Sequence, residues 1–516
     1  MFTLGDLPRR SARVHANKEA IVFGNARLTF AQFDRRVNRV ANALLKLELK
    51  KGERIAILSE NSDKYLEVYF GAAKAGLVIV PLNFRLTNEE LVQIVQDCEP
   101  VLFFAGAGYE GVASTIRRQV RSVLEWISLD SSIDGFVYYQ GFLDGCPDLD
   151  PLVELGEHDL AVLMYTGGTT GLPKGVMLTH RNLLSATFGM ALGWQFSQFD
   201  STCMFLPLFH ASIWPVFVCL LVGGKVILVR RPELGLILEA IHNEKCTHMN
   251  AVPTIYNWLL DYPDLDKFDL SSLRLIIYSG SPMPLEILKR CMNKFGKVMA
   301  QGYGLTEAAP LVTMLLPHEH VVDGPGARLL LSAGKESAPV EVRVVGDDGF
   351  PLKAGEDGEI VVRGPNITPG YWKKEELTKE KIRDGWLYTG DIGRLDEEGY
   401  LFLVDRKADM IVTGGENVYP TETENVLYQH PAVHECAVVS APDNRWGERV
   451  QAVVVLKPEA AVTEEELIAF TKERLAGYKC PKKIEFWDHI PKTSVGKLLR
   501  KDVKKQFWKG MERNVG

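Results

Sequence analysis

Leu160-Ala-Val-Leu-Met-Tyr-Thr-Gly-Gly-Thr-Thr-Gly-Leu-Pro-Lys-Gly175 is the stretch around which the rest of the chain is organised. Its first part, Leu160–Met164, is an uninterrupted apolar run of strand length, the pattern of a strand buried on both faces. The second part changes character at once. Gly167, Gly168 and Gly171 fall within five residues, and without a Cβ the backbone there can adopt positive φ and approach a ligand closely. Successive amides of such a turn form an anion-binding nest, to which Thr166, Thr169, Thr170 and Lys174 add hydroxyls and an ammonium. The chemistry implied is binding of a nucleotide's β- and γ-phosphates. Plain Gly/Thr turns also occur at strand ends, but the three glycines, three threonines and lysine together favour the phosphate reading. The usual P-loop spacing, Gly-x4-Gly-Lys-Ser/Thr, is missing, which removes a standard NTPase or motor.

The alternation of apolar run and helix-length segment continues on both sides. Arg54–Leu58, Val78–Pro81, Val101–Ala105, Val226–Val229 and Leu273–Ser279 read as buried strands, while Phe30–Leu47, Asn88–Asp97 and Leu236–Glu244 carry helical spacing. This predicts parallel sheets covered on both faces. Beyond Pro325, Val340–Val345, Gly358–Arg363 and Gly399–Val404 are short strands broken by Gly and Asp-Gly turns, a small β unit. A further change comes at Asp405-Arg-Lys407. Past Asp405 the chain holds 18 basic and 16 acidic residues, a net of +2 against −9 before it, and its last 25 residues hold 8 basic and 2 acidic. That balance suits a lid closing on a polyanion, and equally a solvated lysine-rich helix at 497–509.

At 516 residues the chain has room for three or four compact units. With 46% hydrophobic and 24% charged residues it has the composition of a soluble globular protein. The net charge of −7 argues against a general nucleic-acid binder. Eight scattered cysteines with no C-x-x-C pair suit reduced thiols better than a disulfide framework or a zinc site. The opening MFTLGDLPRR has no apolar core segment and is no signal peptide. The uncharged, strongly apolar run Ala211 to Gly224 is fourteen residues; a membrane span needs roughly 20, so it reads as a buried helix followed by a strand. The closing Asn-Val-Gly matches no lipidation signal or Ser-Lys-Leu address. A soluble, cytoplasmic protein without a transmembrane segment is predicted.

TGGTTGLPKG, with Thr179-His-Arg-Asn182 after it, resembles the phosphate loop of the adenylate-forming superfamily: acyl-CoA synthetases, luciferases and peptide-synthetase adenylation domains. Further landmarks stand in order: Leu206-Pro-Leu-Phe-His210, Ser279-Gly-Ser281, Gln301-Gly-Tyr-Gly-Leu-Thr-Glu307, Tyr388-Thr-Gly-Asp391, Asp405-Arg-Lys407, Gly414-Gly-Glu-Asn-Val-Tyr-Pro420 and Pro491-Lys-Thr-Ser-Val-Gly-Lys497. The resemblance implies an α/β fold. A large N-terminal domain, 1–404, would hold two βα-layered subdomains and a small β-barrel; a smaller, mobile α+β domain would follow over 405–516. It also implies an acyl-CoA synthetase of the fatty-acid or aryl-acid branch. The acid and ATP would give acyl-adenylate and pyrophosphate, and coenzyme A would then displace AMP. Partners are the carboxylic acid, ATP and CoA, and a homodimer is allowed. Two alternatives stay open: a protein that binds acyl-adenylate without ligase activity, and an enzyme that passes the acyl group to a separate carrier protein.

A carboxylate is already ionised at pH 7 and needs no general base. The obstacle is an anion approaching a polyanion, so catalysis depends on cations and donors. The resemblance assigns Glu307 and Thr166 to Mg2+, which favours few carboxylates plus phosphate oxygens. It sets Tyr303 against adenine, Asp391 on the ribose hydroxyls, Arg406 on ribose and phosphate and Thr306 on the α-phosphate, with Ser281, Gly302 and Gly304 along the nucleotide. Lys497 would bridge the substrate carboxylate and the α-phosphoryl oxygen. Asp405 would be the hinge that withdraws it, bringing Lys407, Gly414, Gly415 and Glu416 to the thiol channel. His210 would orient the carboxylate. The expected acyl walls, His210, Ser212, Val216, Ser281, Gly302 and Val312, are small or apolar and include no obvious cation. They predict a hydrophobic monocarboxylic acid, fatty, aryl or alicyclic.

Gly168 stands where many relatives carry Ser, and Ser281 where Gly is common. Gly106-Ala-Gly108-Tyr-Glu-Gly111 matches G-x-G-x-x-G after an apolar run, with Asp130 19 residues beyond; alone this would suggest NAD, but a short turn in a βα unit is the commoner origin. His318-Glu-His320 and the pair His430/His434 have no cysteine or acidic cluster to complete a metal site.

Overall fold

The apolar runs of the first 336 residues fall into two large sheets. In this computed structural model residues 2–166, 173–406, 409–413, 415–443, 445–492 and 498–509 are described. A nine-stranded sheet runs in the order Lys335–Glu336, Thr313–Leu315, Met299–Tyr303, Leu275–Ser279, His248–Ala251, Ser201–Met204, Lys225–Leu228, Glu19–Phe23, Ala26–Thr29. An eight-stranded sheet runs Gly370–Tyr371, Lys174–Thr179, Leu160–Thr166, Val78–Pro81, Arg54–Leu58, Leu102–Ala105, Glu125–Ser128, Val137–Tyr138. The central pairs of both are parallel, as strand–helix alternation requires.

Between these sheets lies the helix Asp63–Ala75, DKYLEVYFGAAKA, in which every residue from Tyr65 to Ala75 is buried. A mostly apolar surface is what such a position demands, with Glu67 and Lys74 the charged exceptions. Its neighbour Phe30–Leu45 starts at a reciprocal cap between Thr29 and Gln32. That helix stops two residues short of the expected Leu47, because Glu48 turns into the left-handed region at φ 54°. The two helices meet at Gly71, where a Cβ would lie 2.6 Å from Val40 Cγ1. The uncharged run after His210 forms a short turn at Ala211–Ile213, the helix Trp214–Val222 and the strand Lys225–Leu228. Pro215 sits in the first turn of that helix, where its missing N–H is harmless.

The expected small β unit is an antiparallel sheet of Glu341–Val345, Gly358–Arg363, Trp386–Leu395 and Ile382–Arg383, with Leu401–Arg406 also on Trp386–Leu395. The last strand continues two residues past the expected boundary at 404, since Asp405 and Arg406 still pair with Ile392 and Asp391. Residues 411–486 build a further five-stranded sheet around Val433–Asp443 and Gly447–Leu456. It carries its own apolar core, including Ile411, Val438, Val450, Val454 and Leu467. All eight cysteines are free thiols, seven of them buried.

Lys74 is the one fully buried lysine among the described residues. Its ammonium donates to Asp34 and Asn38 at 2.7 Å each and to Asp150 at 2.8 Å. Asp150 also accepts from Arg9 at 2.7 and 2.9 Å, so three helices and the 147–152 loop close on one charge cluster. Burial alone would raise the Asp150 carboxyl, but Arg9 and Lys74 outweigh it and hold it well below the usual range. Stability contributed by a depressed carboxyl is complete above its unfolded pKa, near 4, and fades as pH falls below that. We therefore expect Asp150→Asn to lower unfolding free energy by about 2 kcal/mol at pH 7, with the gap to wild type shrinking below about pH 4 in denaturant titrations.

Candidate active site

The phosphate hairpin is a register of its two strands: Met164 opposite Val176, Tyr165 opposite Gly175, and Thr166 opposite Lys174. Thr166 and Lys174 therefore face each other where the strands open into the glycine turn. Gly167, Gly168, Thr169, Thr170 and Gly171 lie outside the described residues. Gly370–Tyr371 extends the hairpin, with Tyr371 opposite Val176. The Tyr371 hydroxyl donates to Glu307 Oε1 at 2.9 Å, and the Lys174 ammonium lies 6.0 Å from the Tyr371 ring. Thr368 adds two ties, its amide to the Glu307 carbonyl at 2.8 Å and its hydroxyl to the Met177 carbonyl. Lys174 and Glu307 thus meet at one tyrosine that no sequence motif singles out, and Thr166 stands opposite Lys174 on the neighbouring strand. Burial, with the Glu307 carboxylate beside it, pushes the Tyr371 phenol well above its ordinary pKa, so it remains a donor.

Thr179-His-Arg-Asn182 has a structural use. Thr179 and Asn182 cap the helix His180–Gly193 reciprocally, and the Asn182 amide donates to Pro365 O at 2.9 Å and Ile367 O at 2.7 Å. The hairpin is thereby tied to the segment that carries Thr368 and Tyr371.

Tyr303 ends the strand Met299–Tyr303 and is 8% exposed. Its hydroxyl donates to Asp391 Oδ2 at 2.7 Å. Burial and the neighbouring Asp391 raise the Tyr303 phenol far above its ordinary pKa. Arg406 stands opposite Asp391 across the strand pair, Nε to Oδ1 3.5 Å. Gly304 follows Tyr303 at a place where a Cβ would come within 1.7 Å of the Pro310 carbonyl oxygen. Only glycine lets the chain turn there into Thr306–Ala308, the short helical turn that bears Thr306 and Glu307.

The acyl candidates divide among three places. His210, Ser212 and Val216 follow one another along the Ala211–Val222 segment; His210 Nδ1 accepts from the Ser212 amide at 3.2 Å, and Val216 is fully buried. Ser279 pairs with Gly302 across adjacent strands, and Ser281 lies just beyond. Behind Gly302 stands Trp194: a Cβ there would be 3.2 Å from the indole, and Trp194 packs on Trp214 with ring centroids 5.0 Å apart. Val312 sits apart, fully buried in the core of the small β unit with Tyr303 and Ala308. Sequence reasoning had no signal for Trp194, because nothing in the letters tells which tryptophan faces a glycine 108 residues away.

Asp405 is buried, and its carboxylate accepts from the amides of Arg406 at 2.8 Å and Thr421 at 2.9 Å. Gly415 adopts φ 88° and leads into Glu416–Val418, whose Glu416 is exposed. Lys407, Gly414 and Lys497 lie outside the described residues. The nucleotide-like Gly106–Gly111 turn is self-contained: Asp130 accepts from the Ala107 amide at 2.9 Å and pairs with Lys64 at 3.1 Å. His320 is spent on Tyr278 at 3.0 Å and the Leu316 carbonyl at 2.9 Å, and His430 caps the Ala432 amide. No helix of the described residues is long and apolar enough to cross a membrane.

Residues 8–372 match the AMP-binding enzyme family, and residues 422–497 match the AMP-binding enzyme C-terminal domain. A feruloyl-CoA synthase of an Amycolatopsis species is 40% identical over 508 residues, covering 98% of this chain and 99% of that protein. The long-chain-fatty-acid–CoA ligase FadD13 of Mycobacterium tuberculosis is 35% identical over 513 residues, with the same coverages of 98% and 99%. Among solved structures, the anthranilate CoA ligase AuaEII in complex with anthranoyl-AMP superposes with a TM-score of 0.90 at 28% identity, covering 98% of this chain and 97% of that one. With both family domains present in order and full-length relatives at this identity, the chain belongs to the AMP-binding enzymes.

Proposed function

We propose that this protein is an ATP-dependent carboxylate–CoA ligase, forming an acyl-adenylate and then the thioester, with a hydrophobic monocarboxylic acid as substrate. The observation that carries the reading is the Tyr371 bridge, which sets Glu307 beside the hairpin ended by Thr166 and Lys174. That arrangement puts one carboxylate, one hydroxyl and one ammonium at the mouth of a glycine turn. Tyr303 holds Asp391 in place as a ribose acceptor, and Thr306 lies between the two clusters in sequence.

The donor set suits Mg2+, because a single carboxylate and a hydroxyl leave most ligand positions to phosphate oxygens and water. Held by Glu307 and Thr166, such an ion would neutralise phosphate charge. Lys174 and the nest amides would hold the β- and γ-phosphates, and Lys497 would bring the positive charge that lets carboxylate and α-phosphate meet. His210, whose Nδ1 accepts from the Ser212 amide, would orient the acid. Indole surface behind Gly302 supports an apolar acyl group over a dicarboxylate or an amino acid. In the second half-reaction residues 405–516 would turn about Asp405, withdrawing Lys497 and presenting Lys407 and the 414–416 loop to the thiol.

A panel of hydroxycinnamic, benzoic, medium-chain and long-chain acids, with malonate and amino acids beside them, tests this by pyrophosphate release and CoA-thiol consumption. Turnover is expected with apolar monocarboxylates only; thiol consumption without pyrophosphate, or silence throughout, would refute the ligase reading. Lys497→Ala should slow adenylation by at least about 10²–10³-fold while still converting synthetic acyl-adenylate and CoA to thioester. Tyr371→Phe, which removes the donor to Glu307, should raise the half-saturating Mg2+ concentration about 10-fold with little change in the KM for the acid.

A further inference from the structure

One buried guanidinium of the C-terminal region has no part in the chemistry proposed above. Arg500 opens the helix Arg500–Phe507, and its side chain is 16% exposed amid three carboxylates. Nε donates to Glu424 Oε1 at 2.9 Å, and Nη2 to the second Glu424 oxygen and to Thr421 Oγ1 at 3.0 Å. Nη1 donates to Asp405 Oδ1 at 3.2 Å and, more distantly, to Asp409 at 3.5 Å. The other Asp405 oxygen is taken by the Thr421 amide at 2.9 Å.

Each partner adjoins a segment with a role in the proposed reaction. Asp405 is the pivot. Thr421 and Glu424 belong to the helix Pro420–Leu427, which follows directly on Glu416–Val418 of the thiol-channel loop. Arg500 itself stands three residues after Lys497. We propose that Arg500 is a positioning residue whose guanidinium keeps the pivot carboxylate, the helix Pro420–Leu427 and its own helix Arg500–Phe507 in fixed register, so that both half-reactions depend on it. This rests on the ligase reading given above.

The relative strength of the contacts decides what moves. Arg406, next to the pivot, is held to Asp391 by an ion pair whose arginine is 60% exposed, whereas the Asp405 side chain is 2% exposed against Arg500. Exposed pairs yield before buried, hydrogen-bonded ones. Turning therefore releases Arg406 from Asp391 and leaves Asp405 attached to Thr421 and Arg500. A guanidinium fork reaches three partners at once, which a lysine ammonium cannot do in the same geometry.

Arg500→Lys keeps the charge that three carboxylates require and loses the fork. The assay is a single-turnover quench with ferulate, or with the fatty acid that turns over fastest, following pyrophosphate release and separately the transfer from synthetic acyl-adenylate to CoA. We expect both rate constants to fall about 10- to 100-fold, with the burst amplitude per protein, the KM for ATP and the KM for the acid as in wild type. A residue needed only for stability would instead lower the amplitude and leave the rate constants of the folded fraction alone; that result, or wild-type constants throughout, overturns the proposal. Should Arg500→Lys not fold, Thr421→Val removes one contact of the fork without a charge and should slow both steps about 3-fold. Failure of the wild type to release pyrophosphate with any acid would be a failure of the ligase reading, visible before any Arg500 variant is made.

Discussion

The hydrogen bond from Tyr371 to Glu307 is the contact on which the rest of the site turns. It spans 64 residues and joins three parts made for different reasons. The phosphate hairpin belongs to the eight-stranded sheet. Glu307 stands on a turn leaving the nine-stranded sheet. Tyr371 lies on a two-residue strand that leaves the small β unit to pair with the hairpin. The two strands must be held firmly where they end at Thr166 and Lys174. Asn182 and Thr368 supply that restraint on one side, and the Tyr165 hydroxyl, bonded to Asp97, on the other.

A second requirement is electrostatic. Two anions must meet in this site, and each cation that helps must be presented without first being neutralised by a local carboxylate. Among the described residues Lys174 meets that requirement, whereas Arg406 stands 3.5 Å from the Asp391 carboxylate. Lys74 and Arg9 are consumed in one ion cluster and Arg500 in another, while Lys174 lies over the ring of Tyr371. An ammonium over an aromatic face keeps most of its charge available to a ligand, since the ring's quadrupole attracts but does not neutralise it.

Much of this was legible in the letters, and the reason is specific. Arg54–Leu58 and Val78–Pro81 were found to the residue because parallel strands buried on both faces are continuous apolar runs bounded by polar turns. Ends set by backbone conformation were not: Glu48 ends its helix through a positive φ that no side chain announces. The same limit governs the site. Glu307, Asp391 and Thr166 carry charge or hydroxyls in recognisable motifs, whereas Tyr371, Trp194 and Arg500 act through contacts 64 to 108 residues away. A tyrosine whose only distinction is its partner looks like any other core aromatic. The Gly106–Gly111 turn errs in the opposite direction, its spacing suggesting a nucleotide although Asp130 is spent on the turn's own amide.

Asp405, the proposed pivot, is firmly built into the structure on both sides. Through Arg406 its backbone still pairs with Trp386–Leu395, so on that criterion Asp405 belongs with the N-terminal part. Its carboxylate, however, is bonded to Thr421 and Arg500, which belong with the C-terminal part. Adjacent residues are therefore claimed by opposite bodies, and the side that lets go is the weaker one. Breaking a buried ion pair by removing a partner costs about 3–5 kcal/mol. An exposed pair such as Arg406–Asp391 contributes about 0–1 kcal/mol, and the two strand positions released with it can exchange their hydrogen bonds for bonds to water at modest net cost. The same release frees Asp391, the residue assigned to the ribose, from its arginine. On the proposed turn, the charge facing the nucleotide would change in the same movement that would bring in the thiol, without any further coupling element.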